Sequence, residues 1–201
     1  ELSSLEITLS SETAYVVVPV VVVREVPLTV RIDPGGGATA DDAVVNIEPR
    51  TIIVSGQEED IQELTEISLG SIDLSTVVGT STIQFPITLD TSLGNVSGET
   101  SATVTVTVEG LSTIALSATN ISMSPAPEGY TASLVTNACE VIVRGKEEDL
   151  TNVDASQIRI VADLSNVTTT GMITVPARVY LDASSTVGVI GEYTVVVNVS
   201  Q

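Results

Sequence analysis

Histidine and tryptophan are absent from this chain of 201 residues, and cysteine occurs once. Without histidine, the commonest general base and metal-binding side chain is missing. The single thiol, Cys139, admits no disulfide within the chain and leaves the redox compartment open. Within CEVIVRG it reads as a small apolar filler. Basic residues are scarce as well: seven Lys and Arg stand against 26 Asp and Glu, a formal charge of −19. So acidic a surface repels phosphate, which argues against nucleic acid and anionic lipid as partners. Long apolar runs are also missing. The longest, YVVVPVVVV from Tyr15 to Val23, is too short to cross a bilayer, is interrupted by Pro19 and is closed by Arg24 and Glu25. It reads as a strand, with Pro19 at an edge, at a bulge or where the strand changes pairing partner. The opening ELSSLEITL has no secretory n-region.

What remains is a supply of Val, Ile, Leu and Ala filled out with Thr and Ser, 43% apolar overall and only 2% aromatic. Two heavy atoms on Cβ restrict χ1 in a helix and suit a pleated strand, so the fold class expected is all-β with minor short helices. The length fits one large or two small domains.

A duplication supports that division. Residues 53–61 read IVSGQEEDI and residues 142–150 read IVRGKEEDL. Gly56 and Gly145 stand 89 residues apart, whereas the DLS triplets beginning at Asp73 and Asp163 stand 90 apart, as do Pro86 and Pro176. The closing strands, TVTVTVEG and YTVVVNVS, follow in the same order. A similarity that spans the unit in constant order is a tandem duplication of a domain. Residues 26–110 form the first repeat and residues 111–201 the second. Residues 1–25 are expected to be tail strands of a preceding repeat, packing with the first domain, within a longer array. The two units should superpose with Gly56 on Gly145 and Asp73 on Asp163.

Each unit reads as an opening strand, a Gly or Pro loop, a strand ending in V-x-G, an acidic helical turn and a strand into DLS. A Pro-bearing strand and a closing strand complete it. Short strands divided by turn clusters favour a sandwich or barrel. After Gly56 and Gly145, where the backbone must turn, the EED triplets place carboxylates at the positive end of a helix, with Ile61 and Leu150 pointing back to the core. The competing reading is a cation site, from Glu58, Glu59, Asp60 and Asp73 or from Glu147, Glu148, Asp149 and Asp163, because clustered carboxylates suit Ca²⁺. Neither stretch has the D-x-D-x-D spacing of a calcium loop. Asp73 and Asp163 are also expected to form Asx-turns at strand ends. DPGGGATADD, from Asp33 to Asp42, lacks the G-K-[ST] of a phosphate loop and carries three Asp, so it reads as a flexible turn. No catalytic residue and no cofactor is implied.

Together VSGQEEDI, IDLS, FPITL and TVTVTV, followed by VRGKEEDL, ADLS, VPARVYL and TVVVNV, resemble the YbbR-like domain over nearly the whole chain. The resemblance implies an all-β domain with swapped-hairpin character, found as tandem copies outside the cytoplasmic membrane of Gram-positive bacteria behind one N-terminal transmembrane helix. Its best-known members regulate a membrane diadenylate cyclase, which makes cyclic di-AMP. It brings no catalytic residues. Two functions follow as expectations. One is a non-enzymatic, extracytoplasmic interaction and regulatory module with a protein partner at the membrane, a diadenylate cyclase complex. The other is a structural spacer or adhesin-like stalk.

Overall fold

Alternation sets the first layer of structure. In SATVTVTV, Ala102, Val104 and Val106 are buried while the residues between them are partly exposed, and in YTVVVNVS Val195, Val197 and Val199 are buried between a partly exposed Val196 and an exposed Asn198. Period-two burial of this kind defines a strand with one face on a core. The computed structural model describes residues 20–183 and 185–201. In chain order the first half contains β1 (Val22–Asp33), β2 (Ala43–Glu48), β3 (Thr51–Gly56), α1 (Glu58–Glu63), β4 (Ile67–Asp73), β5 (Thr80–Pro86), β6 (Gly94–Asn95) and β7 (Ser101–Val108). The second half contains β8 (Ser112–Ala118), β9 (Ile121–Met123), β10 (Thr131–Leu134), β11 (Cys139–Gly145), α2 (Glu147–Leu150), β12 (Ile158–Ala162), β13 (Gly171–Leu181), β14 (Val187–Ile190) and β15 (Tyr193–Ser200). The architecture is all-β with two short α-helices, as the β-branched composition implies.

Each half is built from two sheets. The first half has the orders β4-β1-β3-β6 and β2-β7-β5, and the second has β14-β11-β8 and β10-β15-β13-β12-β9. In the first half one long strand serves both ladders of its sheet: residues 22–27 of β1 pair antiparallel with β3, and residues 28–33 pair parallel with β4. The change of partner falls at Pro27, where a missing N–H cannot continue a ladder. In the second half the same two roles are divided between β8, antiparallel to β11, and β9, parallel to β12. The expectation for Pro19 lies outside the described residues, as does that for residues 1–19 of the expected tail; Val22–Glu25 open β1 and pair with Glu25↔Ile53 through Val22↔Gly56 of β3.

Two hydrophobic clusters result. One gathers side chains between Val26 and Val106, the other side chains between Ala118 and Val199. The DLS leucines seat equivalent turns in them: Leu74 is 0% exposed and Leu164 is 1% exposed. Pro86 ends β5, whereas Pro176 lies within β13, at the step before its ladder with β12 begins at Ala177. Truncating a fully buried leucine removes its transfer energy and leaves a cavity, so Leu164→Ala should lower unfolding free energy by about 2–5 kcal/mol in urea titration; a loss under about 1 kcal/mol would contradict the packing described.

Candidate functional site at the junction of the two halves

The repeated acidic turns lie where the repeat predicts helices. Glu58, Glu59 and Asp60 form the first turn of α1, and Glu147, Glu148 and Asp149 that of α2, near unpaired N–H groups that favour negative charge. Ile61 is 2% exposed and Leu150 5%, so each turn is fastened by one apolar side chain. Neither Gly56 nor Gly145 has a positive φ. Glycine is needed there for close approach: a Cβ would stand 2.8 Å from Leu93 at Gly56 and 2.6 Å from Val187 at Gly145. Asp73 and Asp163 close Asx-turns, accepting from the Ser75 N–H at 2.8 Å and the Ser165 N–H at 3.0 Å. The bonds from Ser165, with Arg178 at 3.9 Å, hold the Asp163 carboxyl below the usual carboxylate range. Among the described residues no group of three or more Asp, Glu or Cys is placed to hold a metal, so Glu58, Glu59, Asp60 and Asp73 do not converge on one ligand set, nor do Glu147, Glu148, Asp149 and Asp163.

The structure gathers its polar chemistry elsewhere, around Arg144. This residue lies in β11, opposite Thr113 of β8 and Gly188 of β14, and is 3% exposed. Its guanidinium crosses into the first half and donates to four backbone carbonyls. Nε reaches Gly36 O at 2.9 Å, Nη1 reaches Val77 O at 2.7 Å, and Nη2 reaches both Gly35 O at 3.0 Å and Leu74 O at 2.8 Å. No carboxylate forms an ion pair with it among the described residues. Burial therefore pulls its pKa below the usual arginine value, with Asp42 opposing at longer range. The planar fork of five donors explains why arginine serves here: it can satisfy several carbonyls at fixed angles, which an ammonium cannot.

Backbone contacts complete the joint. The Gly191 N–H donates to Ser75 O at 2.9 Å, and Ile190 is 0% exposed against Gly36. The Tyr193 hydroxyl donates to Ile190 O at 2.6 Å and accepts from the Ile142 N–H at 2.9 Å, which ties β14 to β11 behind the contact. Gly36 and Gly37 adopt φ of 57° and 73°. A Cβ on Gly36 would strike Ile190, one on Gly37 would strike the Arg144 carbonyl, and one on Gly188 would lie 2.5 Å from Gly37 N. DPGGGATADD is thus not the flexible turn expected from its glycines. A Gly35–Ala38 bridge, buried Ala38 and the Thr39–Asp42 capping bonds order it as the seat of the second half. Grooves of about 670 Å³, beside Asp42 and Lys146, and about 750 Å³, beside Asp73 and Glu192, flank the joint. Sequence reasoning missed Arg144. The available signal was the single divergence inside the repeated V-x-G, Ser55 against Arg144.

Three outcomes test this description. Arg144→Ala leaves buried carbonyls without donors, at a cost of about 1–3 kcal/mol each before relaxation, so guanidinium unfolding should lose at least that much and separate into two transitions. Calorimetric titration with Ca²⁺ should show nothing tighter than roughly millimolar affinity; micromolar binding would contradict it. The carboxyls of Asp33, Asp42, Asp154 and Asp163 are all held below their usual value by hydrogen bonds from Arg31, Thr39, Ser156 and Ser165 respectively. Lowered pKa values give stability that is present above the unfolded value of about 3.9 and is lost as pH falls through the folded values. Tm should therefore hold from neutral pH to about pH 5 and fall below about pH 4.

No family model and no curated protein matches the chain. Among solved structures it is similar to a YbbR-like protein from Streptococcus pneumoniae TIGR4, at 16% identity and a TM-score of 0.32, over 93% of this chain and 98% of that one. It is also similar to the YbbR-like domain of the lmo2119 protein from Listeria monocytogenes, at 22% identity and a TM-score of 0.34, over 44% of this chain and 93% of that one. Both likenesses are to YbbR-like structures.

Proposed function

We propose that the chain is a non-enzymatic interaction and regulatory module of tandem YbbR-like units, which works outside the cytoplasmic membrane within a membrane-anchored protein and modulates a membrane diadenylate cyclase. The observation that carries the reading is the ordered set of motifs, V-x-G, acidic turn, D-L-S, Pro-bearing strand and alternating valines, present in both halves of the sequence. The buried joint at Arg144 supports it physically, because two units fixed to one another can pass a displacement from a partner at one end to the other. Such a module acts by binding two states of its target with different affinity, which shifts their populations. The same stiffness supports a spacer or stalk as the second reading. Deleting residues 26–201 from the full-length protein separates them. The regulatory reading expects cellular cyclic di-AMP, measured by mass spectrometry, to change while cyclase abundance on immunoblots stays constant. Unchanged levels across osmotic and cell-wall stress would leave the spacer.

A further inference from the structure

The two repeats diverge after their prolines. β5 ends at Pro86, but β13 continues past Pro176 to Leu181, and in that stretch it pairs antiparallel with β12, from Ala162↔Ala177 to Ile158↔Leu181. The extension joins β12 and β9 to β10-β15-β13 as one five-stranded sheet, whereas β4 and β5 of the first half belong to different sheets. A broad outer face results.

Its charge is unlike that of the rest. None of the five strands contains Asp or Glu, while each of the other three sheets among the described residues does, through Glu25, Glu48 or Glu140. Two of the seven basic residues, Arg159 and Arg178, lie in it instead. On a chain of net charge −19 this sheet is a positive island.

Burial fixes the side that they take. Ile158, Ile160 and Ala162 face the core, so Arg159 and Val161 face out; Val175 faces in, so Pro176, Arg178 and Tyr180 face out. Register sets Arg159 opposite Tyr180 and Arg178 opposite Val161. The Arg159 guanidinium stands 4.6 Å from the centroid of the Tyr180 ring, which holds its plane and leaves its edge N–H groups for an acceptor. Among the described residues Arg159 enters no ion pair, and Arg178, its side chain 75% exposed, meets only Asp163 at 3.9 Å. Apolar surface adjoins them, with Tyr180 42% and Met172 70% exposed. The joint between the halves uses other surfaces, the glycine loop and DLS turn against β11 and β14. It leaves the outer face of β2-β7-β5 open in the first half too, where Val44 is exposed, so stacking of repeats in this manner does not cover such a face.

We propose that the outer face of β12 and β13 docks an extended segment of a partner protein that carries carboxylates at alternate positions. Diagonal neighbours on paired strands stand about 7–8 Å apart, and alternate side chains of an extended segment about 6.6 Å. Two carboxylates on one side of such a segment therefore meet Arg159 and Arg178 together, each in the bidentate geometry that guanidinium favours. Apolar side chains flanking them cover Tyr180, Pro176 and Val161. A membrane or a polyphosphate spreads its charge more widely and meets the acidic remainder of the chain, whereas a short segment meets the island alone. The inference rests on the sheet itself and holds whether the module regulates or spaces.

NMR titration of the isotopically labelled chain tests it, with a short end-capped peptide that carries two glutamates separated by one valine, and with the same peptide bearing glutamines. The glutamate peptide is expected to bind with a Kd of roughly 1 mM, to shift amides of β12 and β13 and their neighbours, and to bind more weakly as NaCl screens the charges. Arg159→Gln and Arg178→Gln should each weaken binding about two- to fivefold, and the double variant should lose it. Arg31→Gln, which removes an equal charge from the first half, should leave it unchanged; all three arginines are exposed, so the fold is kept. Equal binding of the glutamine peptide, retained binding by the double variant, or no shift at about ten times the expected Kd would overturn the proposal. So would tighter binding of inorganic polyphosphate or phosphatidylglycerol vesicles through the same two arginines, since the occupant would then be a polyanion or a lipid surface.

Discussion

A buried positive charge with no ion-pair partner among the described residues is the constraint on which the arrangement of the two halves depends. The Arg144 guanidinium is buried and makes no ion pair among the described residues, so the oxygens of Gly35, Gly36, Leu74 and Val77 supply its hydrogen bonds. An isolated buried charge is strongly disfavoured unless it is hydrogen-bonded, and hydrogen bonds to a charged donor are worth about 1.5–3 kcal/mol each. The joint is therefore specific in direction as well as in strength. A shift of the second half relative to the first would withdraw several carbonyls at once and leave the guanidinium N–H groups without those partners.

The glycines follow from the same demand. For the guanidinium to reach two loops at once, the β11–β14 backbone must come close to the backbone of residues 35–37, closer than any Cβ allows. The left-handed conformations of Gly36 and Gly37 turn the chain back within this space, and Gly188 opposite them leaves room for it. The 3-10 turn that begins at Leu74 supplies the remaining carbonyls, and it is held by the Asx-turn of Asp73. A motif that reads as a local strand end is also half of a long-range seat.

Much of the fold could be read from the chain because its determinants are local. The valine and threonine alternation, the acidic first turns and the Asp–x–Ser turns each depend on neighbours within a few residues, and each recurs in both halves. The junction could not be read in the same way. Whether three glycines make a mobile turn or a packed seat depends on Ile190 and Arg144, more than a hundred residues away in sequence, and nothing in DPGGGATADD states their approach. The division of the opening strand into β8 and β9 in the second half, against one continuous β1 in the first, was equally hidden, because the change of sheet partner is set by the strands on either side. Arg144 differs from Ser55 inside an otherwise repeated motif, and the difference falls at the contact between the halves.

The central claim is that four carbonyls gathered around one guanidinium make two β units a single rigid body. Residual dipolar couplings measured on backbone N–H groups of both halves test it most directly. The account predicts that couplings from the 26–110 and 111–201 segments fit one alignment tensor in the native chain. Two tensors of different magnitude or orientation in the native protein would show halves that move independently, and would contradict it.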